Sequence, residues 1–440
     1  MTSFLDDLAA RRRFGMKPGL ETIRSLCAAL GDPQRKFRAI HVAGTNGKGA
    51  VCAILDAALR AASGKREEGR GKRDGGLRIG RYTAPHLVKL NERFFLDGAP
   101  VDDTTLERIA EKVSKVLFPL PSSLFPSPTF FEALTAVAFE LYAEAKVDYA
   151  ILECGLGGRL DATNVCEPML CVITKIGLDH CDWLGDTVEK IAAEKAGIIK
   201  PGVPVVLGRN GPSVRAVIEA RAREVGAPFH YAPDLADERE IPEDFSLVGA
   251  FNRENAVTAL AALKVLFRSG RSLSTAIEGF RHVLWPGRFQ CVGNFIVDGA
   301  HNPPAARALR AALEGEDFRH KTLDLICGFC GDKDVGEVLS ILAPIVKKGY
   351  AVQTNNPRSL SAAETAAKMR AAGIDAVACE SLREAVELAG QKMGDGRRAL
   401  ICGSLFLAGE ALVELGTYPW GSARFDLSEL LCTQQRERRS

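Results

Sequence analysis

The sequence predicts an α/β fold with two doubly wound domains, each built on a mostly parallel sheet. Short apolar runs alternate with helical patterns along almost the whole chain, and a glycine-rich turn directly follows the first of these runs. The first set of strands is expected near residues 39–43, 147–153, 171–176 and 203–208, and its helices include 48–62 and 130–146. A second set of strands is expected near 293–298, 322–328, 349–354 and 398–403.

A turn-rich break separates the two sets of strands. The residues Trp285-Pro286-Gly287-Arg288 combine a proline and a glycine where one set ends and the other has not begun. We therefore expect a P-loop-type domain over residues 1–287 and a smaller Rossmann-like domain over 288–440.

Composition excludes several classes of protein. The 440 residues carry a formal net charge of +2, which predicts no general affinity for nucleic acid or for membranes. The N-terminal stretch is charged and is not a signal peptide, and no apolar run approaches the ~20 residues that a spanning helix needs. The twelve cysteines are spread along the chain, which indicates reduced thiols in a cytoplasmic protein. The Cys327–Cys330 pair has no second pair beside it, and we interpret it as a strand end rather than a metal or redox site.

A basic, glycine-rich segment covers residues 63–81 and has few apolar side chains. It is open to two interpretations, a solvated loop and a basic flap that meets an anionic substrate.

The glycine-rich turn has the pattern of a phosphate-binding loop. It follows the apolar run at 39–43 and leads into an alanine-rich helix, so backbone N–H groups and a helix N-terminus would face a phosphate. Lys48 adds a full positive charge. Such loops usually continue with a Ser or Thr that binds Mg²⁺, and Ala50 stands in that position here. The residues expected to hold phosphate are Gly44, Thr45, Asn46, Gly47, Lys48 and Gly49.

Polar residues follow two later strands. Glu153 ends an apolar run just before a second glycine-rich loop, where a carboxylate can either bind Mg²⁺ or cap the structure, and we favour the metal. His180 ends the next run and could face the same ion. Lys195, taken alone, is typical of a helix surface.

The second domain contains a similar strand-to-turn arrangement. Asp298 and His301 are close enough in sequence to act on one ligand, and Arg288 offers a bidentate guanidinium for phosphate. Each residue alone could be structural, but together they favour a nucleotide clamp.

These motifs, in their order, resemble the folylpolyglutamate synthase/dihydrofolate synthase family of the Mur-ligase superfamily. The matching stretches are GTNGKG (44–49), YTAPHL (82–87), FFE (130–132), ECGLGGRLDATN (153–164), ITKIGLDH (173–180), EKAGIIKPG (194–202), GAFNRENA (249–256), WPGRFQ (285–290), DGAHNP (298–303) and, with looser spacing, residues 331–334.

The resemblance implies an ATP-dependent amide ligase of folate biosynthesis and one-carbon metabolism. The acceptor carboxylate would attack the γ-phosphate of ATP to give an acyl phosphate, and the amine of L-glutamate would then displace phosphate. The acceptor would be dihydropteroate, a reduced folate, or both. Residues 1–287 would be the ATP-binding domain and residues 288–440 the glutamate-ligase domain, in a monomer.

The resemblance also implies the role of each site residue. Glu153 and His180 would bind Mg²⁺, and a carbamylated Lys195 would face a second Mg²⁺. Asn255, Arg288 and Asp298 would contact ATP, with His301 beside the transferring phosphate. The residues expected to line the pteroate side are Phe130, Phe131, Glu132, Gly157, Gly158 and Arg159. Lys48, Lys195, Asp298 and His301 are the predicted catalytic residues.

Three departures from the family pattern affect the expected site. Ala50 replaces the loop hydroxyl, Ala84 stands where the family has a metal-binding serine, and Phe251-Asn252 replaces the usual His-Gln before Asn255. Water can replace a lost hydroxyl ligand on Mg²⁺. We therefore expect weaker or reorganised metal binding rather than an inactive protein.

Two other functions stay open from the sequence. One is a related Mur-type ligase for another carboxylate, although the phosphate loop at residue 44 leaves no room for the extra N-terminal domain of muramyl ligases. The other is a degenerate, non-catalytic nucleotide-binding protein, which Ala50 and Ala84 suggest and the remaining polar residues disfavour.

Overall fold

The computed structural model describes residues 19–63, 76–117, 128–267, 273–315, 323–331, 333–391 and 397–420. Contacts within the chain divide these residues into two compact units. The first unit comprises the described residues up to His86, together with Leu90–Ser246 and Asn252–Leu284. The second comprises Leu87–Lys89, Leu247–Phe251 and the described residues from Trp285 onward.

The first unit is built on an eight-stranded sheet. Its order is β4-β3-β2-β5-β1-β6-β7-β8, and all pairs are parallel except β2 with β3 and β3 with β4. The strands are β1 (Arg38–Ala43), β2 (Ile79–Tyr82), β3 (Phe94–Leu96), β4 (Ala99–Pro100), β5 (Tyr149–Glu153), β6 (Pro168–Ile173), β7 (Val205–Leu207) and β8 (Phe229–Tyr231).

Strand β1 lies in the middle of this sheet, and its register brings the site loops together. Its last five residues are buried, as expected for a strand covered on both faces. Val42 pairs with Glu153 of β5, and Ala43 pairs with Ile173 of β6. The carboxyl ends of these three strands therefore lie side by side, where open α/β sheets bind ligands.

Helices connect the strands of the first unit. Helix α2 (Lys48–Ala62) contains mostly small and apolar residues and is buried along most of its length, and Thr129 and Glu132 form a capping box at the start of α4 (Phe130–Ala145). The helices are α1 (Glu21–Ala29), α2 (Lys48–Ala62), α3 (Asp103–Leu117), α4 (Phe130–Ala145), α5 (Cys181–Leu184), α6 (Val188–Ala196), α7 (Pro212–Glu224), α8 (Ala232–Leu235), α9 (Ala250–Leu266) and α10 (Leu273–Glu278). Short 3₁₀ turns occur at Pro33–Arg35, Leu90–Arg93, Ala162–Val165, Glu238–Glu240 and Gly279–His282.

The second unit has a six-stranded sheet with helices on both faces. Its order is β13-β12-β11-β14-β10-β9, and only β9 with β10 is antiparallel. The strands are β9 (Gln290–Val292), β10 (Phe295–Val297), β11 (Leu323–Cys327), β12 (Val346–Ala351), β13 (Ala376–Ala378) and β14 (Arg398–Cys402). The helices are α11 (Pro303–Leu313), α12 (Val335–Leu342), α13 (Ala362–Ala371), α14 (Leu382–Gly390) and α15 (Leu405–Glu414), with a 3₁₀ turn at Ala343–Ile345.

Two apolar clusters form the core of the second unit. Side chains of α11, α12 and α13 pack in one cluster, whereas α14 and α15 pack in the other. This arrangement agrees with a doubly wound sheet.

The predicted fold class is confirmed, and the eight predicted strands correspond to β1, β5, β6, β7, β10, β11, β12 and β14. The sequence missed the short strands β2, β3, β4, β8, β9 and β13, which contain two to four residues each and show no clear periodicity. Among the described helices, none is both long enough and apolar enough to cross a lipid bilayer. The cysteines of the described residues form no disulfide bonds with one another, and most of them are buried. The domain limits 1–287 and 288–440 stay a prediction.

The structure corrects the interpretation of the basic segment at its C-terminal end. Residues 64–75 lie outside the described residues. Arg81, however, belongs to β2, is 3% exposed and forms an ion pair with Asp56 at 3.5 Å. Its guanidinium also lies 3.8 Å from the centre of the Phe95 ring. Arg81 is therefore part of the sheet core, because a buried carboxylate and an aromatic face compensate its charge, and it belongs neither to a solvated loop nor to a flap.

Candidate active site

The phosphate loop connects β1 to α2 and requires glycine at two positions. Gly44 and Gly47 have φ angles of +151° and +87°. A Cβ on Gly44 would lie 1.8 Å from Thr174 Oγ1, and a Cβ on Gly47 would lie 2.2 Å from Asn255 Oδ1. The second contact places Asn255 directly against the loop, whereas its contact with a nucleotide stays a prediction.

The neighbouring strand end holds this loop through its backbone. Thr45 N–H donates to the carbonyl oxygen of Lys175 at 2.8 Å, and the Thr174 hydroxyl donates to the carbonyl oxygen of Asn46 at 2.8 Å. Lys48 begins α2 and is half-buried, and its Nζ donates to Thr45 O at 3.2 Å. The helix N-terminus and the ammonium group together fit an anionic phosphate.

A small cavity of about 40 Å³ lies at the carboxyl ends of β1, β5 and β6. It brings together the phosphate loop, the second glycine-rich loop and the two predicted metal-side residues His180 and Lys195. The lining residues are Gly44, Thr45, Lys48, Cys154, Gly155, Leu156, Gly157, Asp179, His180, Leu184 and Lys195. Sequence reasoning missed Asp179 and Cys154, although each adjoins a motif residue that it had selected, and the carboxylate of Asp179 was a usable signal.

Lys195 is a buried lysine and not the surface lysine that its sequence context alone suggests. It lies in the last turn of α6 and is only 3% exposed. Burial, reinforced by the positive charge of Lys48, lowers the pKa of Lys195 to about 7. A substantial fraction of this side chain is therefore a neutral, nucleophilic amine at neutral pH.

The second glycine-rich loop packs closely on the helix that carries Lys195. A Cβ on Gly158 would lie 2.9 Å from the carbonyl oxygens of Glu194 and Lys195. Asn164 Nδ2 donates to Arg159 O at 2.9 Å and to Gly197 O at 3.1 Å. These two hydrogen bonds connect the second glycine-rich loop with the residue that follows α6. The loop and the C-terminal end of α6 consequently form one packed body.

The residues predicted for the pteroate side lie around this loop. The Phe131 ring covers Gly155, where a Cβ would approach it to 2.6 Å, and it lies 6.0 Å from the Tyr82 ring. Arg159 donates through Nη2 to Glu194 Oε1 at 2.8 Å, so its guanidinium already has a carboxylate partner. Phe130 is buried near Arg93. Glu132 Oε2 accepts hydrogen bonds from Thr129 as part of the capping box. Gly157 lines the cavity.

Glu153 ends β5 and His180 follows β6, so β1 lies between the two strands and the two residues have different surroundings. Glu153 is 4% exposed, and its Oε2 accepts the Ala84 N–H at 3.1 Å, just before the cis Ala84–Pro85 bond. His180 has a left-handed φ of 53° at the start of α5, with Nε2 3.9 Å from Asp179 Oδ1. Glu153 is not one of the residues that line the cavity.

Within the described residues, no group of three His, Cys, Asp or Glu side chains is arranged to hold a metal ion. Mg²⁺ prefers oxygen ligands, and an unmodified Lys195 supplies only an amine. A carboxylate on Lys195 would supply the oxygen ligand that Mg²⁺ prefers, and the metal set of Glu153, His180 and Lys195 stays a prediction.

The second unit brings its three predicted residues together at the carboxyl end of β10. Asp298 accepts the Phe289 N–H at Oδ2 and the Ala300 N–H at Oδ1, both at 2.7 Å. Burial raises the pKa of Asp298, although the Arg288 charge and these hydrogen bonds oppose the effect. A Cβ on Gly299 would lie 2.5 Å from Arg288 Nη1, so the arginine lies against this turn.

His301 has a defined tautomer when neutral. Its Nδ1 lies 2.8 Å from the carbonyl oxygen of Gly299, which can only accept, so Nδ1 carries the hydrogen. The other ring nitrogen, Nε2, is then an acceptor, which is the form that can take a proton from a bound group.

Comparisons with known proteins agree with this geometry. Residues 287–405 match the family model of the Mur ligase, glutamate ligase domain. The dihydrofolate synthase/folylpolyglutamate synthase of Bacillus subtilis is 34% identical over 79% of this chain and 84% of its own length. Escherichia coli FolC in complex with DHPP and ADP has a TM-score of 0.81 at 28% identity, over 94% of this chain and 98% of that chain. The Yersinia pestis bifunctional synthase with AMPPNP and Mn has a TM-score of 0.80 at 28% identity, over 94% of this chain and 100% of that chain.

The fold, the phosphate loop and the matching domain define a Mur-type ligase. Within that class, the chain belongs to the folylpolyglutamate synthase/dihydrofolate synthase family, because it aligns with most of the length of relatives that are at least 30% identical.

Proposed function

We propose that this protein is an ATP-dependent ligase that joins L-glutamate to a folate-type carboxylate, either dihydropteroate or a reduced folate. One observation carries the proposal: the cavity that is lined by the phosphate loop is also lined by the buried Lys195 and by His180. A simple nucleotide-binding protein has no need for a buried amine beside the phosphate loop, whereas a ligase must hold ATP next to an acceptor carboxylate.

The phosphate loop would bind the ATP phosphates through its backbone N–H groups and Lys48. The reaction brings two anions together, the acceptor carboxylate and the γ-phosphate, so positive charge must offset their repulsion. Lys48 supplies that charge at the N-terminus of α2, and Asn255 limits the space beside Gly47. Attack of a carboxylate oxygen on the γ-phosphorus forms the acyl phosphate and releases ADP.

Glu153, His180 and a carbamylated Lys195 would hold the divalent cations, two in number. When bound, Mg²⁺ neutralises phosphate charge and orients the γ-phosphate. Carbamylation joins the neutral Lys195 amine to CO₂ with loss of one proton and yields a carboxylate. Ala84 gives Glu153 only its backbone N–H, and no side-chain oxygen, which supports the expectation of weaker metal binding.

The loop around Gly157, Gly158 and Arg159, with Phe130, Phe131 and Glu132, would line the acceptor side. In the structure, Phe131 offers an aromatic face beside Gly155, whereas Arg159 and Glu132 are engaged with protein partners. We therefore assign recognition of the ring system to the aromatic residues, the support of the loop to Arg159 and the capping of α4 to Glu132.

In the second unit, Arg288 and Asp298 would contact ATP, and His301 would act near the transferring phosphate. The acceptor character of His301 Nε2 suits removal of a proton from the glutamate ammonium, whose free amine must attack the acyl phosphate. Collapse of the tetrahedral adduct then expels inorganic phosphate and leaves the amide.

Release of ADP in the presence of each acceptor tests the proposal. We expect turnover that requires L-glutamate together with dihydropteroate, tetrahydrofolate or both, with one ADP formed for each amide. Turnover that requires a different carboxylate would instead support a related Mur-type ligase. Tight ATP binding without turnover on any acceptor would support a non-catalytic nucleotide-binding protein.

A further inference from the structure

A buried polar chain connects the strand of the phosphate loop with the second glycine-rich loop. His41, on β1, places Nε2 2.8 Å from the hydroxyl oxygen of Thr163. The Thr163 hydroxyl donates in turn to Asp161 Oδ1 at 2.5 Å. All three side chains are buried, and the proposed chemistry above uses none of them.

The direction of these hydrogen bonds follows from the last acceptor. Burial raises the pKa of Asp161. The Thr163 hydroxyl, the Thr163 N–H at 3.0 Å and the Leu156 N–H at 2.8 Å all donate to this carboxylate, and these hydrogen bonds oppose that rise and favour the ionised form. Thr163 has a single hydroxyl hydrogen and gives it to Asp161. The Thr163 oxygen must therefore accept from His41, which carries its hydrogen on Nε2.

His41 is suited to a fixed donor role and not to proton transfer. Burial, with a smaller effect from the positive charge of Lys200, lowers the pKa of His41 to about 3, so the ring stays neutral at working pH. The other ring nitrogen, Nδ1, is buried without a hydrogen-bond partner within the described residues. A proton on Nδ1 would have no acceptor, which further disfavours the charged ring.

The hydrogen-bonded side chains of His41, Thr163 and Asp161 connect to both loops of the cavity. His41 lies three residues before Gly44, and Leu156, whose N–H Asp161 accepts, lines the cavity together with Gly44. Cys154, another lining residue, places Sγ 3.1 Å from His41 Nε2. The second loop also packs on the end of α6 that carries Lys195, so its position affects the lysine.

We propose that His41 is a positioning residue that acts through Thr163 and Asp161 to align the second glycine-rich loop, and with it Lys195, with the phosphate loop. The inference rests on the proposed ligase function for its kinetic consequence. Its structural consequence, ordering of the second loop by His41, can be measured whether or not the protein is a ligase.

The His41→Leu and Thr163→Val variants each remove one hydrogen-bonding side chain from the buried set of His41, Thr163 and Asp161. We expect kcat to fall about 10- to 100-fold in each, because small displacements of reacting groups are costly, with a less than about 3-fold change in the KM for ATP. Thr163→Ser keeps the hydroxyl and is expected to retain kcat within about 3-fold. The kcat of the double variant should lie within about 3-fold of the kcat of the slower single variant, because the two residues act as a unit.

Two measurements separate positioning from other roles. The shape of the kcat pH profile between about pH 6 and 9 should be unchanged in His41→Leu, since His41 is already neutral there. Thr365→Val, an equally buried threonine in the second unit, controls for a general loss of stability and is expected to keep kcat. The proposal would be overturned by a reduced kcat in that control or by a shifted pH profile. It would also be overturned if the loss of kcat in the double variant equalled the product of the two single losses.

Hydrogen exchange of residues 154–164 gives a readout that does not depend on activity. We expect faster amide exchange there in His41→Leu and Thr163→Val, and wild-type exchange in Thr163→Ser. Unchanged exchange in the first two variants would overturn the inference. If the wild-type protein ligated no acceptor but the exchange pattern held, the proposed function would fail while the positioning role stood.

Discussion

Replacing Lys48 with methionine is expected to lower kcat about 10³-fold, the upper range for losing one preorganised electrostatic group. Lys48 is the cation at the N-terminus of α2 and lines the cavity beside Gly44 and Thr45. Methionine keeps the length and the apolar stem of the side chain. Within the part of the chain that the structure describes, Lys48 Nζ makes one hydrogen bond, to Thr45 O, so its loss should leave the variant folded.

The measurement is steady-state ADP release at saturating acceptor and glutamate, with thermal unfolding recorded in parallel. Lys368→Met, on the exposed side of α13, is the matched control and should behave as wild type. A Lys48→Met variant that retains kcat within about 10-fold of wild type would show that the phosphates bind elsewhere.

Replacing Lys195 with alanine is expected to lower kcat about 10²- to 10³-fold. The variant removes the buried cavity lysine whose lowered pKa favours reaction with CO₂, and with it the proposed carboxylate ligand for the divalent cation. Added acetate or formate should restore part of the activity, because a small carboxylate can enter the space that the side chain leaves. Lys190→Ala, on the same helix and exposed, is the control without effect.

The modification of Lys195 has a predicted pH dependence. The neutral amine reacts with CO₂, and the pKa of about 7 means that the neutral fraction rises from pH 6 to pH 8. A lysine with an ordinary pKa near 10.4 would be almost fully protonated over that range. At a fixed concentration of dissolved CO₂, activation of CO₂-depleted enzyme should therefore become faster between pH 6 and pH 8. Activation that slows as pH rises, or acetate that fails to rescue Lys195→Ala, would contradict a carbamylated lysine.

Alternation of apolar runs and helical patterns was sufficient to predict the architecture. Buried parallel strands such as β6 and β7 are continuous apolar runs, and helix α2 begins directly after a turn whose glycines are visible in the sequence. The short strands β3, β4 and β8, at or next to the two edges of the first sheet, could not be predicted in the same way. They have two or three residues each, and their pairing depends on neighbours that are distant in the chain.

The candidate site was predictable where local pattern determines geometry. The glycines at 44 and 47, the strand-end Glu153 and the Asp298 turn all follow directly from strand-to-turn transitions. Burial of Lys195 could not be read from its helix, because the covering residues come from the loop at 154–164. The same holds for His41, since its partner Thr163 lies 122 residues away in the sequence.

The fate of the acceptor carboxylate oxygen is the measurement that tests the central claim most directly. Dihydropteroate labelled with ¹⁸O in its carboxylate would be incubated with ATP and L-glutamate, and the released phosphate analysed by mass. An acyl phosphate transfers one carboxylate oxygen to phosphate, so one ¹⁸O should appear in inorganic phosphate for each amide formed. Amide formation with unlabelled phosphate, or with the label in AMP, would contradict the proposed ligase chemistry.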